Sequence, residues 1–279
     1  MAIVLALLSS VVWGTSDFIG GVVSRRIPAY LVVAASQASG LIAVTIAVLV
    51  VGHFEVGLSW LAPAIVAGVS LASGLVMFYA ALASGAMGVV SPIAALGVLV
   101  PVGAGLVRGE SPSAITSVGI VVALVGVVAA SGPEFSGRTD GRPVVLASLS
   151  AVCFGTAMLF LAKGATADPL MSLWGMRAIS VAVVTTGTLL LARPRRASIV
   201  VRCRDLPLII VAGVGDSAAN LLFQLASLRG YLSVVAVLAS LYPAMTVMLA
   251  WVVLQQRLQR IQLVGVLAAL AGIALVSAG

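Results

Sequence analysis

Long, nearly uninterrupted apolar runs dominate this chain, and short polar or glycine-containing breaks separate them. A run of about 20 apolar residues is the length that an α-helix needs to cross the hydrocarbon core of a bilayer. A transmembrane β-barrel would instead alternate apolar and polar residues in segments of about ten. The pattern therefore predicts ten membrane-spanning helices, at residues 2–23, 29–51, 60–83, 86–107, 113–131, 143–163, 169–192, 206–228, 232–254 and 260–278.

Composition points to the same class, an all-α integral membrane protein. Of the 279 residues, 62% are hydrophobic and only 8% are charged, and the mean hydropathy is +1.24. Soluble domains average about 45–50% apolar and about 25% charged residues. The two cysteines and the single histidine show no metal-ligand or nucleophile spacing. We therefore expect no metal, no other cofactor and no enzyme activity.

Basic residues cluster in alternate predicted loops. Eleven arginines lie in the first, fifth, seventh and ninth loops, whereas the loops on the opposite side hold only Arg108, Lys163 and Arg229. Cytoplasmic loops carry the excess of Lys and Arg in membrane proteins. The sequence therefore predicts both termini on the outside. Topology also explains the net charge of +7 without a nucleic-acid partner.

A few polar side chains lie deep inside the predicted spans. Asp216, Asn220 and Gln224 follow one another at a spacing of four residues, which places them on one stripe of a helix. Arg177 is a buried charge in the preceding span. Ionisable residues at membrane depth are costly and normally face a protein interior or a wet cavity. We interpret these residues as the lining of a polar cavity, and a purely structural contact between helices is the alternative.

Other spans contribute further candidates for this lining. Asp17 is the only charge of the first span and either faces the interior or reaches toward the membrane surface. Asp17 or Asp216 would carry a coupling proton if transport is coupled, whereas export down a gradient needs no coupling. The remaining polar or aromatic candidates are Trp13, Gln37, Tyr79 and Trp174.

Three prolines predict kinks in the fourth and ninth spans. Proline removes a backbone hydrogen bond from a helix, and a membrane helix accepts this where neighbours or a cavity satisfy the freed carbonyl groups. The kinks would serve as hinges for gating or would only assist packing. The residues are Pro92, Pro101 and Pro243.

The two halves of the sequence repeat one another at offsets of 140 to 146 residues. Each half holds five predicted spans, and an odd number forces the second half to enter the membrane from the opposite side. We therefore predict two inverted repeats, at residues 1–132 and 143–279, around a central cavity, as in many secondary transporters. The repeated glycines should let helices approach closely. Matching positions are Gly119 with Gly265, Gly126 with Gly272, Trp13 with Phe154, and Gln37 within one residue of the match to Arg177.

The order of these motifs resembles the EamA-type drug/metabolite transporter superfamily. The resemblance covers essentially the whole chain, although Gln256 stands where the family usually has a glutamate. The matching residues are Trp13-Gly14, Arg108-Gly109-Glu110 and Gly119 in the first half, and Pro243, Trp251, Gln256 and Gly265 in the second.

This resemblance implies a multi-pass protein of the bacterial inner membrane that works by alternating access. It implies export of amino acids, including aromatic or other apolar ones, and of related small metabolites. The expected partners are this small-molecule substrate and the lipid bilayer, and we expect a monomer. The polar residues are distributed unequally between the halves, which suits a substrate with two different ends, such as an amino acid.

Two alternatives to amino-acid export remain open. An exchanger of phosphorylated metabolites or nucleotide sugars would require several cations in the cavity to meet a dianion, and only Arg177 is placed there. A membrane scaffold without transport activity would usually carry soluble domains for its partners.

Overall fold

A computed structural model describes residues 1–52, 57–84, 90, 93–130, 141–191, 205–254 and 260–278. Within these ranges the secondary structure is helical and contains no strand, which confirms the all-α prediction for this part of the chain. Seven helical stretches there are long and apolar enough to cross a membrane when Leu232–Val253 is counted as one, and three shorter apolar helices accompany them. A helix satisfies its own backbone hydrogen bonds, which hydrocarbon cannot do.

The helices begin and end close to the limits of the apolar runs. The N-terminal half contains α1 (Ala2–Ser24), α2 (Ala29–Val51), α3 (Leu61–Ser84), α4 (Leu99–Val107) and α5 (Ala114–Ala130). Two short 3₁₀ helices, Leu58–Trp60 and Leu96–Val98, precede α3 and α4. The C-terminal half contains α6 (Gly141–Ala165), α7 (Pro169–Leu191), α8 (Leu206–Ser227), α9 (Leu232–Ala239), α10 (Tyr242–Leu254) and α11 (Arg260–Ala278).

The apolar run at residues 232–254 is interrupted in its middle. α9 ends at Ala239 and α10 begins at Tyr242, directly before Pro243. Proline has no amide hydrogen to donate, so it is tolerated in the first turn of a helix. Pro101 occupies a comparable place in the first turn of α4, after the 3₁₀ helix. Pro92, the third predicted kink, lies outside the described residues.

Helices of the N-terminal half pack mainly on helices of the C-terminal half. α1 lies against α8 and α10, and α2 lies against α7 and α8. α3 packs on α6 and α7, and α5 packs on α11. The interior of the bundle is therefore built jointly by the two halves.

Glycine allows the close crossing of α5 and α11. A Cβ atom on Gly119 would lie 2.9 Å from the carbonyl oxygen of Gly272 and 2.7 Å from the amide nitrogen of Val276. Side chains cannot occupy so small a space, so the two backbones touch directly. Gly119 and Gly272 thus have the packing role that their repeated spacing predicts.

We predict that Gly119→Ala destabilises the fold by about 1–3 kcal/mol, because the added methyl group must push α11 away from α5. Gly103→Ala in α4 is the matched control, since a Cβ atom there meets nothing within 4 Å. Thermal unfolding of the purified proteins in detergent measures the difference. Equal melting temperatures for the two variants would contradict the close crossing.

Candidate functional site

Arg177 is a fully buried charge, and three helices meet at its side chain. It lies on α7 with 0% of its side chain exposed. Its Nη1 donates to Oε1 of Gln37 on α2 at 2.7 Å. The same nitrogen lies 2.6 Å from Oδ2 of Asp216 on α8. The hydroxyl group of Ser180, one turn further along α7, also donates to Oε1 of Gln37, at 3.1 Å.

Two further residues donate hydrogen bonds to Asp216. Nε1 of Trp13 on α1 donates to its Oδ1 at 2.9 Å. Nδ2 of Asn220 donates to the backbone carbonyl of Asp216 at 2.7 Å and lies 3.3 Å from Oδ1. The Asp216 side chain nevertheless keeps 16% of its surface exposed. We refer to Trp13, Gln37, Arg177, Ser180, Asp216 and Asn220 as the Arg177 network.

A cavity lies beside this network. It holds about 590 Å³ of empty space, counted with its open part. Its walls come from α1, α3 and the residues around the 3₁₀ helix before α4, and from α6, α8 and the break between α9 and α10. The polar lining residues are Trp13, Asp17, Asp216, Asn220, Ser240 and Tyr242. Most of the remaining wall is apolar and includes Leu71, Leu75, Val98, Phe154, Ala157 and Met158.

The residues predicted to line a cavity fall at different depths around it. Trp13, Asp216 and Asn220 lie in its wall. Gln37 and Arg177 lie behind Asp216 as buried members of the network. Gln224 is fully buried one turn beyond Asn220, and neither polar atom of its amide has a hydrogen-bond partner among the described residues.

Tyr79 and Trp174 pack elsewhere. The Tyr79 hydroxyl occupies the space that a side chain at Gly20 would fill, so this residue packs α3 against α1. Nε1 of Trp174 donates to the Thr45 hydroxyl at 3.1 Å. The Trp174 ring also lies edge-on to the Trp60 ring, with centroids 6.5 Å apart. Each of these two side chains therefore meets neighbouring helices rather than the cavity wall.

Sequence reasoning missed several lining residues. Phe154 matches Trp13 in the internal repeat, and this match was the available signal, because both residues line the cavity. Tyr242 and Ser240 flank the helix break before Pro243. The sequence allows Asp17 to face either the interior or the membrane surface, and the structure places it in the cavity wall, one helical turn after Trp13.

Glu110 connects the two halves near the start of α9. Gly109 has a φ of +89°, a left-handed conformation that glycine adopts without steric cost. This turn lets the Glu110 carboxylate accept hydrogen bonds from the amides of Leu232 and Ser233, at 2.8 and 2.9 Å. A carboxylate at this position satisfies free amide groups and interacts favourably with the helix dipole. The equivalent Gln256 lies outside the described residues.

Comparison with known proteins identifies a transporter family. The model of the EamA-like transporter family matches residues 141–278. A crystal structure described only as "Crystal structure of protein" superimposes with a TM-score of 0.80 and 18% sequence identity. The alignment covers 98% of this chain and 94% of that chain, and at this identity the likeness concerns the fold. No curated protein matches the sequence.

We predict that Asp216→Asn lowers the free energy of unfolding by about 3–5 kcal/mol, because it leaves a buried guanidinium without its countercharge. Combining Asp216→Asn with Arg177→Met removes both charges and should restore most of the loss. Thermal unfolding in detergent of the wild type, the single variant and the double variant measures this. A single variant as stable as the wild type, or a double variant less stable than the single, would contradict the role of this ion pair.

Proposed function

Because the chain belongs to the EamA-type superfamily of transporters, we propose that it is a secondary transporter that exports amino acids and related small metabolites. Aromatic and other apolar amino acids are the expected substrates. A cavity beside the Arg177 network, with walls from both halves of the chain, supports this function. Such a place between two repeats is where secondary transporters bind their substrates.

The packing of the bundle supports two structurally related five-helix repeats. The cavity is lined by the first, third and fourth apolar runs of the N-terminal half and by the corresponding runs of the C-terminal half. Gln37 and Arg177, which fall at nearly matching positions, bond directly to each other. This contact is expected of matched residues that lie close to a two-fold axis.

Reciprocal glycine contacts support the same arrangement. A Cβ atom on Gly14 of α1 would collide with the backbone of Tyr242, at the break between α9 and α10. Its match in the repeat, Gly155 of α6, would collide with Gly97 in the 3₁₀ helix before α4. In each half, the first run therefore packs closely on the irregular part of the fourth run of the other half.

Alternating access requires a part of the bundle that can change shape, and the irregular segments are the candidates. Non-helical backbone at membrane depth is tolerated where it lines a cavity or is buried in protein. The 3₁₀ helix Leu96–Val98 and the break after Ala239 both contribute to the cavity wall. We propose that these segments, with Pro101 and Pro243 beside them, act as hinges.

The cavity wall favours an amino acid over a phosphorylated metabolite. Among the described residues that line it, none is lysine or arginine. Arg177 is fully buried and already engaged by Asp216 and Gln37. A dianionic substrate would lack the cations that it needs, whereas an apolar side chain fits walls built by Leu71 and Phe154.

The proposed location is the bacterial inner membrane. The excess of arginine in alternate predicted loops favours an orientation with both termini outside. In this orientation, the hydrogen bonds from α9 to Glu110 would join the two halves on the outer side.

Flux into liposomes that contain the purified protein tests the proposal. A panel of radiolabelled amino acids, sugar phosphates and nucleotide sugars is offered with and without a proton gradient. We expect uptake of apolar amino acids and no uptake of the phosphorylated compounds. Absence of amino-acid flux in both conditions, with protein shown to be folded, would contradict amino-acid export.

We predict that Trp13→Phe lowers amino-acid flux roughly tenfold. The variant keeps an aromatic ring beside Phe223 but removes the hydrogen bond to Asp216, and a bond to a charged group contributes about 1.5–3 kcal/mol. Trp251→Phe is the matched control, because Trp251 lies on α10 with 50% of its surface exposed. Equal flux in both variants would show that the Trp13–Asp216 contact is not part of the transport site.

A further inference from the structure

The two carboxylates in the described cavity wall differ in their hydrogen-bond and ion-pair partners. Asp216 has Arg177 at 2.6 Å and the indole nitrogen of Trp13 at 2.9 Å. Asp17 lines the same cavity, and no hydrogen bond or ion pair to its carboxylate occurs among the described residues. One carboxylate is thus neutralised by the protein, and the other faces the cavity without a partner among these residues.

An unpaired carboxylate at membrane depth is costly, and residues of this kind usually serve a substrate or ion pathway. Asp17 lies one turn after Trp13 on α1, and both residues line the cavity. Since Asp216 already has a countercharge in Arg177, the unmatched charge in the cavity wall belongs to Asp17. A ligand that complements this wall carries one positive charge.

Aromatic and apolar side chains make up most of the rest of the described cavity wall. Phe154, Trp13 and Tyr242 contribute aromatic rings, and ring faces attract organic cations. Leu75 and Met158 contribute apolar surface. The Tyr242 hydroxyl is buried and has no hydrogen-bond partner among the described residues.

We infer that Asp17 binds the ammonium group of the substrate, and that the cavity selects compounds that join an ammonium group to an apolar body. This inference rests on the proposed transport function and names the group that its site recognises. The substrate class is then set by the amine, and an α-carboxylate is accepted but not required. Amines without a carboxylate should bind as amino acids do.

Three compounds with the same phenyl body separate the contributions of the two charges. L-phenylalanine carries an ammonium group and a carboxylate, 2-phenylethylamine carries only the ammonium group, and 3-phenylpropionate carries only the carboxylate. Equilibrium binding of each compound to the purified protein in detergent is the measurement. We expect the first two to bind and the third to bind at least tenfold more weakly. Binding of 3-phenylpropionate as tight as that of 2-phenylethylamine, or no binding of the two ammonium compounds, would overturn the inference.

Variants at Asp17 test the assignment to one residue. Asp17→Asn should weaken binding of both ammonium compounds at least tenfold, whereas Asp17→Glu should preserve the preference for ammonium over carboxylate. Asp168→Asn is the control, because Asp168 accepts a hydrogen bond from the Met171 amide at 2.6 Å outside the cavity and asparagine can replace it there. Wild-type affinity in Asp17→Asn would overturn the role of Asp17. If Asp17→Asn does not fold, the comparison of the three compounds on the wild type and on Asp17→Glu decides.

The liposome flux panel separates the failure of this inference from the failure of the proposed function. Amino-acid flux together with unchanged binding in Asp17→Asn would retain the transporter and reject the ammonium site. Absence of flux for the whole panel, with no binding of the ammonium compounds, would reject both.

Discussion

A guanidinium group buried inside a membrane protein requires a countercharge, and this requirement positions four helices of the bundle. Arg177 on α7 bonds to Asp216 on α8 and to Gln37 on α2, and Trp13 on α1 completes the coordination of Asp216. Removing one partner of such a pair is far more costly than never burying the pair. Because the four helices come from both halves of the chain, the network forms only when the halves are docked, and the cavity beside it depends on the same docking.

Two carboxylates of the described cavity wall differ in whether the protein supplies a countercharge. The ion pair of Arg177 with Asp216 is internal and leaves no net charge facing the cavity, whereas Asp17 faces it and has no partner in the part of the chain that the structure describes. Packing between the helices alone would gain nothing from a second carboxylate in the cavity wall. The described cavity wall therefore combines a neutral polar part, an apolar part and one unmatched carboxylate, and this combination supports the proposed ammonium ligand.

Close packing around the cavity depends on small residues at reciprocal crossings. Gly68 on α3 approaches Met176 on α7, and Gly213 on α8 approaches Ser36 on α2. In each crossing, the third run of one half packs on the second run of the other half. The two crossings therefore have the same kind of packing. Such backbone contact leaves little freedom for sliding, which supports the proposal that the irregular segments at Leu96–Val98 and after Ala239 act as hinges.

Patterns in the sequence predict the helices and part of the site. The positions that they do not predict depend on helix rotation and on contacts between helices. Apolar runs predict helices well because backbone hydrogen bonds in hydrocarbon have few other solutions. The polar residues of α8 do not all share one face, because each step of four residues rotates a position by about 40°. Gln224 therefore lies roughly 80° around the helix from Asp216. That rotation is consistent with Asp216 and Asn220 lining the cavity while Gln224 is buried away from it. The contact of Gln37 with Arg177 follows from the repeat offset, whereas the partners of Tyr79 and Trp174 depend on neighbouring helices that no local pattern specifies.

We propose that small-molecule substrates occupy the cavity between the halves. Protection of a thiol placed in its wall tests this most directly. In a protein whose Cys153 and Cys203 are replaced by serine, Ala157→Cys introduces a thiol in the cavity wall, and Val152→Cys introduces one on the outward face of the same helix, where Val152 is 60% exposed. We predict that a transported amino acid slows labelling of the first thiol by a small thiol reagent and leaves the labelling rate of the second unchanged. Equal labelling rates at Ala157→Cys with and without any transported compound would contradict it.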